Sequence, residues 1–334
     1  MRIIIPMAGL GKRMRPHTLT VPKPLIPVAG KPIVQRLVED IVAVCNQKVD
    51  EIAFVIGRFG KEAENLLLNV AKELGAEGKI YYQDEPLGIA HAIYCAEPSL
   101  TGNVIVAFAD TLFKAEFNLD PNQDGIIWVQ KVEDPRPFGV VKLDSNGIIT
   151  DFVEKPDHFV SDLAIIGIYY FKNGDQLKEE IKYILDHEIR EKGEFQLTTV
   201  LENMKKNGTS FKTGQVIEWL DCGNKNVTVL TNQRVLEFKK EKEKLIASSV
   251  KMENSVIIEP CFIGENVVLN QSVVGPHVSI GAGSIITRSV ITNSIIQTQS
   301  KISDTRIDNS MIGNFTELKG KALEYSLSDY STEV

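Results

Sequence analysis

The sequence predicts an α/β protein in which a mostly parallel, doubly wound sheet is followed by a short parallel β-helix. Apolar runs such as residues 51–57 and 103–110 are typical of strands buried on both faces, and stretches of helical periodicity separate them. After residue 250 the period changes, and apolar residues recur mostly six positions apart. A chain of 334 residues also exceeds what one core usually holds, so we expect two domains, at 1–245 and 250–334.

The first predicted strand, "RIIIPM", leads into a turn that contains two glycines and a cluster of cations. Residues 1–38 contain seven Lys and Arg and no Asp or Glu, although the formal net charge of the chain is −7. Gly9 and Gly11 lack Cβ atoms, so backbone N–H groups in the turn can close on an anion. Lys12, Arg13 and Lys23 would supply mobile positive charge. We therefore predict an anion site here; a solvated basic surface is the alternative.

Two familiar phosphate loops do not fit this turn. The dinucleotide fingerprint requires a third glycine where Met14 stands, and the P-loop requires a glycine at Pro6 and a hydroxyl at Arg13. The pattern that remains is Gly-x-Gly-x-Arg, followed by a lysine between Pro22 and Pro24. These two prolines restrict the backbone, so they present the lysine from a stiff segment.

The rest of the first domain is predicted to alternate strands with helices. Helical periodicity covers residues 33–44 and 63–74 and recurs near 175–190, 197–207 and 225–246. From residue 125 to residue 171, short runs separated by turns predict an antiparallel addition to the sheet. Ligands bind at the carboxyl ends of parallel strands, so the glycine turn and Asp110, which both follow predicted strands, are expected at one edge.

The repeat after residue 250 predicts a prism with flat sides. Each hexad would make one side and point its apolar residue inward. Slips to five residues indicate trimmed corners, and about three or four coils fit. Such a short stack usually gains stability from a neighbour, so we expect a homo-oligomer. The apolar positions are Ile257, Ile263, Leu269, Val274, Ile280, Ile286, Ile296, Ile302, Ile307, Ile312 and Leu318.

The stretches "AGLGKRMRPHT" and "PKPLIPVAGKPI" resemble the signature of the sugar-1-phosphate nucleotidylyltransferases, which join an NTP to a sugar 1-phosphate and release pyrophosphate. The resemblance is closest to the glucose-1-phosphate thymidylyltransferase type. It implies a nucleotide-binding sheet, and the hexads resemble the left-handed parallel β-helix that several members carry behind the catalytic domain. Further stretches occur in the family's order: "QDEPLGIAHAI", "VAFAD", "FGVV", "VEKP", "IIGIYYF", "GEFQLT" and "WLDCG".

On the nucleotide side, the resemblance implies that Arg13 holds the leaving pyrophosphate and that Lys23 stabilises charge at the reacting phosphates. Gln83 and Gly88 would lie against the nucleobase, and an amide that donates and accepts suits a pyrimidine edge. His91 stands on an apolar helical face, where a structural histidine and a ligand are both possible. The residues implied to wrap the nucleotide are Ala8, Gly9, Leu10 and Gly11.

On the sugar side, the resemblance implies that Lys155 holds the sugar phosphate and that Glu154 binds the sugar hydroxyls. A surface ion pair between these two residues is the alternative. Asp110 and Asp221 match the two carboxylates that bind Mg²⁺ in the family, although an aspartate after a strand is often only a helix cap. The residues implied to line the sugar site are Gly139, Ile165, Gly167 and Tyr169.

Three features depart from the common family pattern. Lys12 stands where many relatives have Thr or Ser, and Ala109 stands where Gly is usual. "LGIAHAI" is closer to relatives that act on N-acetylglucosamine 1-phosphate. This last feature weakens any choice of sugar, and one glutamine fits both uracil and thymine. The leading hypothesis is dTTP or UTP with glucose 1-phosphate, and the alternative is UTP with N-acetylglucosamine 1-phosphate.

The sequence is compatible with two rival functions. Related β-helices use a histidine base for acyl transfer, and the hexad region contains His277 in "GPHVS". A non-catalytic sensor of sugar nucleotides is the second rival. The four cysteines form no C-x-x-C pair, which argues against zinc and disulfides. No apolar run reaches about 18 residues, so we expect a cytoplasmic protein with no membrane partner. We also expect no nucleic-acid partner.

Overall fold

The computed structural model describes residues 1–45, 47–115 and 119–321. Contacts within the chain divide it into two units. The first contains residues 1–26 and 32–223, and the second contains residues 27–31 and 224–334, of which residues 322–334 lie outside the described part. No helix in the described residues has the length and apolar character needed to cross a membrane.

Up to residue 223, strands and helices alternate as the sequence predicts. The helices are α1 (Ile33–Val44), α2 (Lys61–Glu73), α3 (Ile89–Tyr94), α4 (Gly174–Asp186) and α5 (Leu197–Lys206). The strands are β1 (Arg2–Pro6), β2 (Pro27–Val28), β3 (Lys31–Pro32), β4 (Glu51–Ile56), β5 (Glu77–Tyr82), β6 (Val104–Ala107), β7 (Thr111–Lys114), β8 (Gly125–Lys131), β9 (Gly139–Leu143), β10 (Ile149–Glu154), β11 (Leu163–Phe171), β12 (Phe211–Gln215) and β13 (Glu218–Asp221).

The main sheet of the first unit has the order β10-β9-β11-β6-β1-β4-β5, and β8 pairs with both β11 and β12. Strands β6, β1, β4 and β5 are parallel neighbours, which confirms the parallel half of the prediction. The antiparallel addition expected between residues 125 and 171 is β8 to β11, and β11 is antiparallel to β6. The glycine turn and Asp110 follow β1 and β6, so both lie at the carboxyl edge of the parallel strands.

The central strands are apolar on both faces because helices cover both faces. Ile4 and Val106 belong to a core with α3, α4 and α5. The neighbouring residue Ile105 points to the opposite face, where it lies with Ile41 of α1. All six residues of β4 are buried. Alternating polar residues would place charges in one of these two layers, which explains the continuous apolar runs.

The second unit contains residues 27–31, the helix α6 (Lys225–Lys239) and short parallel strands in three sheets, which form a left-handed parallel β-helix. Every third strand stacks on the one before it. One sheet has five strands and the other two have four, slightly more than expected. The strands are β14 (Lys251–Glu253), β15 (Val256–Ile257), β16 (Phe262–Ile263), β17 (Val268–Asn270), β18 (Val273–Val274), β19 (Ser279–Ile280), β20 (Ile285–Thr287), β21 (Val290–Ile291), β22 (Ile295–Ile296), β23 (Lys301–Ser303), β24 (Arg306–Ile307), β25 (Met311–Ile312) and β26 (Glu317–Lys319).

The inward positions of the coil match the predicted apolar period. Successive coils advance by 17, 17, 16 and 16 residues along the positions Met252, Leu269, Ile286, Ile302 and Leu318. Three perfect hexads would give a longer coil, so trimmed corners account for the difference. The structure adds Ile291 to the buried ladder. The sequence analysis does not include Ile291, although it includes the same pair of five-residue steps at Ile302, Ile307 and Ile312.

The boundary between the units differs from the one expected near residues 245–250. Helix α6 and residues 27–31 belong to the second unit. The fully buried Asn232 of α6 accepts hydrogen bonds from the backbone N–H of Ala29 at 2.8 Å and from Ser279 Oγ at 2.7 Å. A Cβ at Gly30 would lie 2.2 Å from the ring of Phe262. These contacts join sequence-distant segments, so no local pattern could locate the boundary.

Candidate active site

The glycine turn after β1 packs closely against the segment that contains Lys23. Gly11 has φ 58°, and a Cβ there would lie 2.9 Å from Cβ of Lys23 and 3.1 Å from Cγ2 of Thr18. The Thr18 hydroxyl donates to the carbonyl of Gly11 at 2.9 Å. Only glycine accepts both this φ and this approach. Gly9 has open space on its Cβ side, so its role is not steric.

Lys23 is the buried cation of this region. It begins a short 3-10 turn, Lys23–Leu25, and only 8% of the residue is exposed. Its Nζ lies 2.7 Å from Oδ2 of Asp110, which follows β6. A buried ammonium requires a partner of opposite charge. The prediction that prolines stiffen this lysine agrees with the observed turn, since Pro22 and Pro24 flank it.

Strand pairing brings the two aspartates together. Strand β13 is antiparallel to β7, and Asp221 lies opposite Thr111. The backbone N–H of Cys222 donates to the carbonyl of Asp110 at 3.0 Å. Burial raises the pKa of the Asp221 carboxyl, Asp110 raises it further, and Lys23 and Arg13 oppose the rise. The two carboxylates and two cations therefore act on one another electrostatically.

A third loop, after β5, completes this region. The amide nitrogen of Gln83 lies 3.1 Å from the carbonyl of Gly88 and 3.1 Å from Nδ1 of His91. Gly88 has φ 122°, and a Cβ there would lie 2.6 Å from the carbonyl oxygen of Phe195. The motif "GEFQLT" thus supplies the backbone that crosses Gly88. Burial lowers the pKa of His91, and Glu85 opposes this shift.

These loops enclose one cavity of about 490 Å³ at the carboxyl edge of the sheet. Leu10 does not line it and has 69% of its surface exposed. The sequence-predicted residues that line the cavity are Ala8, Gly9, Gly11, Lys12, Arg13, Lys23, Gln83, Gly88 and Asp110. Residues that the sequence reading did not place there include Pro86, Phe108, Glu194 and Gly223.

The predicted sugar residues form a second cluster. Gly139 lies opposite Glu154 in the β9–β10 pair, and a Cβ at Gly139 would lie 3.1 Å from Oε2 of that carboxylate. The same Cβ would lie 3.4 Å from Cδ1 of Ile165. The Thr198 hydroxyl donates to Glu154 Oε2 at 3.4 Å. Burial and the nearby Glu154 raise the pKa of Tyr169.

Phe108 connects the cavity with this second cluster. It lines the cavity, and its ring centroid lies 5.4 Å from that of Tyr169. Its backbone N–H donates to the carbonyl of Gly167 at 2.8 Å. Gly167 has φ 87°, and a Cβ there would lie 2.7 Å from the Phe108 ring. Glycine is therefore needed at position 167, because a side chain there would collide with the Phe108 ring.

Lys155 has a cationic neighbour that the sequence reading missed. Lys155 has φ 42°, its side chain is 54% exposed, and its Nζ lies 3.5 Å from Glu154 Oε1. The Nζ of Lys192 donates to the backbone carbonyls of Lys155 at 2.7 Å and Glu154 at 3.3 Å. Two ammonium groups thus lie beside the cluster. Lys192 directly precedes "GEFQLT", but nothing in that stretch indicates a link to residue 155.

Comparison with known proteins places the chain in a family. A family model described as "Nucleotidyl transferase" matches residues 2–237, and the chain belongs to this family. A low-salt glycan biosynthesis nucleotidyltransferase, Agl11 of Haloferax volcanii, is 30% identical over 94% of this chain and 92% of its own length. A glucose-1-phosphate thymidylyltransferase of Streptomyces antibioticus shows the same identity and coverage.

Two further comparisons cover part of a chain. The bifunctional protein GlmU of Methanococcus maripaludis is 30% identical over 77% of this chain and 59% of its own length. A crystal structure of UDP-glucose pyrophosphorylase complexed with UDP-glucose has a TM-score of 0.59 and 22% identity. It covers 71% of this chain and 98% of its own. At that identity the likeness supports the fold alone.

Proposed function

We propose that this chain transfers a nucleotidyl group from dTTP or UTP to a sugar 1-phosphate, with glucose 1-phosphate as the leading acceptor. The observation that carries the proposal is the meeting of two cations, Arg13 and Lys23, with the carboxylates of Asp110 and Asp221 beside a cavity that Gln83 also lines. The full-length similarity to a glucose-1-phosphate thymidylyltransferase supports it. The product is an NDP-sugar.

In the proposed reaction, a phosphate oxygen of the sugar 1-phosphate attacks the α-phosphorus of the NTP. One phosphorus–oxygen bond forms, the bond between the α-phosphorus and the bridging oxygen to the β-phosphate breaks, and pyrophosphate leaves with the electron pair. Arg13 would hold the leaving pyrophosphate. Lys23 is 8% exposed, so its charge is weakly screened and acts strongly on negative charge that develops nearby.

The acceptor would bind beside β10 and β11. The Lys155 side chain is exposed and its ion pair with Glu154 is long, so the ammonium can turn to a phosphate. Lys192 would add a second positive charge and hold the backbone of residue 155. Glu154 would accept hydrogen bonds from sugar hydroxyls, next to Gly139, Ile165, Gly167 and Tyr169.

The carboxylates fit Mg²⁺. No group of three or more His, Cys, Asp or Glu that could hold a metal occurs among the described residues. Mg²⁺ is commonly held by only one or two carboxylates, with waters and substrate phosphates completing its shell. Asp110 and Asp221 would supply these oxygens. When bound, the ion would neutralise negative charge on the phosphates.

Two observations favour the alternative acceptor, and the surroundings of His277 disfavour acyl transfer. The stretch "LGIAHAI" and the similarity to GlmU favour UTP with N-acetylglucosamine 1-phosphate. His277 has φ 63°, and its Nε2 lies 2.8 Å from Oε1 of Glu237 in α6. Only 13% of the histidine side chain is exposed. With so little of the ring exposed, an acyl acceptor has little access to this histidine.

The test is a matrix of NTPs against sugar 1-phosphates, with pyrophosphate release as the readout. We expect the fastest release from dTTP or UTP with glucose 1-phosphate, complete loss with EDTA and recovery with Mg²⁺. Release with N-acetylglucosamine 1-phosphate alone would select the alternative. Nucleotide binding without release from any pair would contradict the proposal and favour a sensor.

A further inference from the structure

The amide of Gln83 has one orientation that its neighbours permit. Its nitrogen atom lies 3.1 Å from the backbone carbonyl of Gly88. A carbonyl oxygen accepts hydrogen bonds and never donates them, so the –NH₂ end of the amide must face it. The backbone N–H of Ala92 also donates to this carbonyl, at 3.1 Å, so the carbonyl has little freedom to move.

His91 receives the other hydrogen of the same –NH₂ group. Its Nδ1 lies 3.1 Å from the Gln83 nitrogen. Two donors cannot face each other, so Nδ1 must be the unprotonated nitrogen and Nε2 must carry the hydrogen; this tautomer is assigned from the network. Burial lowers the pKa of His91, with Glu85 in opposition, which agrees with a neutral ring.

Both amide hydrogens of Gln83 are then engaged. Among the residues that the structure describes, the amide oxygen of Gln83 makes no hydrogen bond. Gln83 lines the cavity, so this oxygen is the group that it can offer to a ligand. The sequence predicts that the Gln83 amide both donates to and accepts from the base. In this arrangement the amide can only accept a hydrogen bond from a ligand.

We propose, building on the proposed function, that His91 is a positioning residue that locks the Gln83 amide with its oxygen toward the nucleobase. Such an acceptor matches a base with a ring N–H at its pairing edge, as uracil and thymine have at N3. Cytosine has a lone pair at N3, so two acceptors would oppose each other. His91 thereby sets the preference for uracil over cytosine without contacting the base.

The simpler account of the same contact is packing alone. His91 lies in the short helix α3 among buried alanines, and the hydrogen bond to Gln83 would then only stabilise this helix. Under that account, substitution lowers the melting temperature and leaves base preference unchanged. The two accounts therefore predict different effects of a His91 substitution on the ratio of kcat/KM for UTP to kcat/KM for CTP.

The experiment compares His91→Phe with His91→Asn in the full chain. Phenylalanine keeps a flat ring but has no acceptor, whereas the asparagine oxygen takes nearly the place of Nδ1. The readout is the ratio of kcat/KM for UTP to kcat/KM for CTP, with the same sugar 1-phosphate. We expect this ratio to fall about 3- to 10-fold in His91→Phe, the value of one ordinary hydrogen bond, and to recover in His91→Asn. The KM for the sugar 1-phosphate should stay unchanged.

A UTP-to-CTP ratio that stays constant in His91→Phe would overturn the proposal, whatever happens to the melting temperature. So would a wild-type chain that prefers CTP. Should the wild-type chain release no pyrophosphate from any NTP, the proposed function fails, and calorimetric binding of UTP and CTP to the three proteins still tests the role of His91.

Discussion

The two units use polar side chains in different ways. In the α/β unit, Lys23 and Asp110 are 87 positions apart and meet at 2.7 Å beside a cavity. In the β-helix, polar partners stand one coil apart, as Arg288 and Asp304 do at a separation of 16 residues. Partners from distant loops meet where those loops surround a cavity, which leaves space for a ligand beside them, whereas partners on successive coils stack along the surface of the β-helix.

The serine stacks of the β-helix show the second pattern most clearly. Ser289 is 2% exposed, donates to the carbonyl of Thr287 at 2.8 Å and accepts from the N–H of Thr305 at 3.3 Å. Its own N–H donates to Ser272 Oγ at 3.2 Å. These hydroxyls satisfy the backbone where the chain turns. The small residues between the hexads therefore have a structural role.

Substitution of one lysine in each unit by methionine is expected to give the largest difference, in kcat, between the two units. Lys23 and Lys301 each place Nζ 2.7 Å from a carboxylate, but their side chains are 10% and 63% exposed. We expect Lys23→Met to lower kcat on the order of 10²-fold, because a preorganised charge is lost from a desolvated site. Lys301→Met should leave kcat unchanged. Pyrophosphate release measures both, and similar losses in the two variants would refute the distinction.

Alanine at a glycine packed against backbone should lower stability in either unit, but only the variant near the cavity should also change the kinetics. A Cβ at Gly88 would lie 2.6 Å from the carbonyl of Phe195, and a Cβ at Gly275 would lie 1.9 Å from the carbonyl of Ile258. Both have positive φ, at 122° and 110°. We expect either alanine variant to lose about 1–3 kcal/mol of unfolding free energy from backbone strain.

Only Gly88→Ala should also raise the KM for the NTP, because it displaces the loop that holds Gln83. Denaturant titrations and initial rates at varied NTP distinguish the two effects. A raised KM in Gly275→Ala would show that the β-helix contributes to nucleotide binding.

An effect on stability alone is expected inside the β-helix, between neighbouring residues. Ser289→Ala leaves the backbone N–H of Thr305 without its hydroxyl partner and should cost about 1–3 kcal/mol of unfolding free energy. Arg288→Ala removes an exposed ion pair and should cause no measurable loss. Hydrogen exchange at the amide of residue 305 would report the difference. Equal stability of the two variants would mean that the stacks are not needed to satisfy the turns.

Local patterns predicted most of the elements. The strands β1, β4 and β6 were visible as apolar runs, and the buried ladder of the β-helix was visible as a period of six. These signals are local because each depends on which face of one strand or helix is buried. Arg13, Lys23 and Asp110 could be placed near one another because each follows the carboxyl end of a predicted strand or lies in the basic segment after it. Gln83 was placed with them only by the family resemblance.

Other features depended on segments that meet only in the folded chain. Lys192 reaches the backbone of Lys155, and α6 joins the second unit through the buried Asn232. No periodic pattern in the sequence indicates such a contact. The orientation that leaves the Gln83 amide oxygen without a hydrogen-bond partner among the described residues depends in the same way on Gly88 and His91.

The sequence by itself therefore determined the two kinds of architecture and the types of charge at the candidate site. Burial pattern and residue chemistry are properties of the chain, so they are readable along it. The tertiary structure decided which of those charges face one another, which polar atoms remain available to a ligand, and where one unit ends. Those outcomes depend on distances between residues far apart in the chain, which are fixed only when the sheets and helices pack.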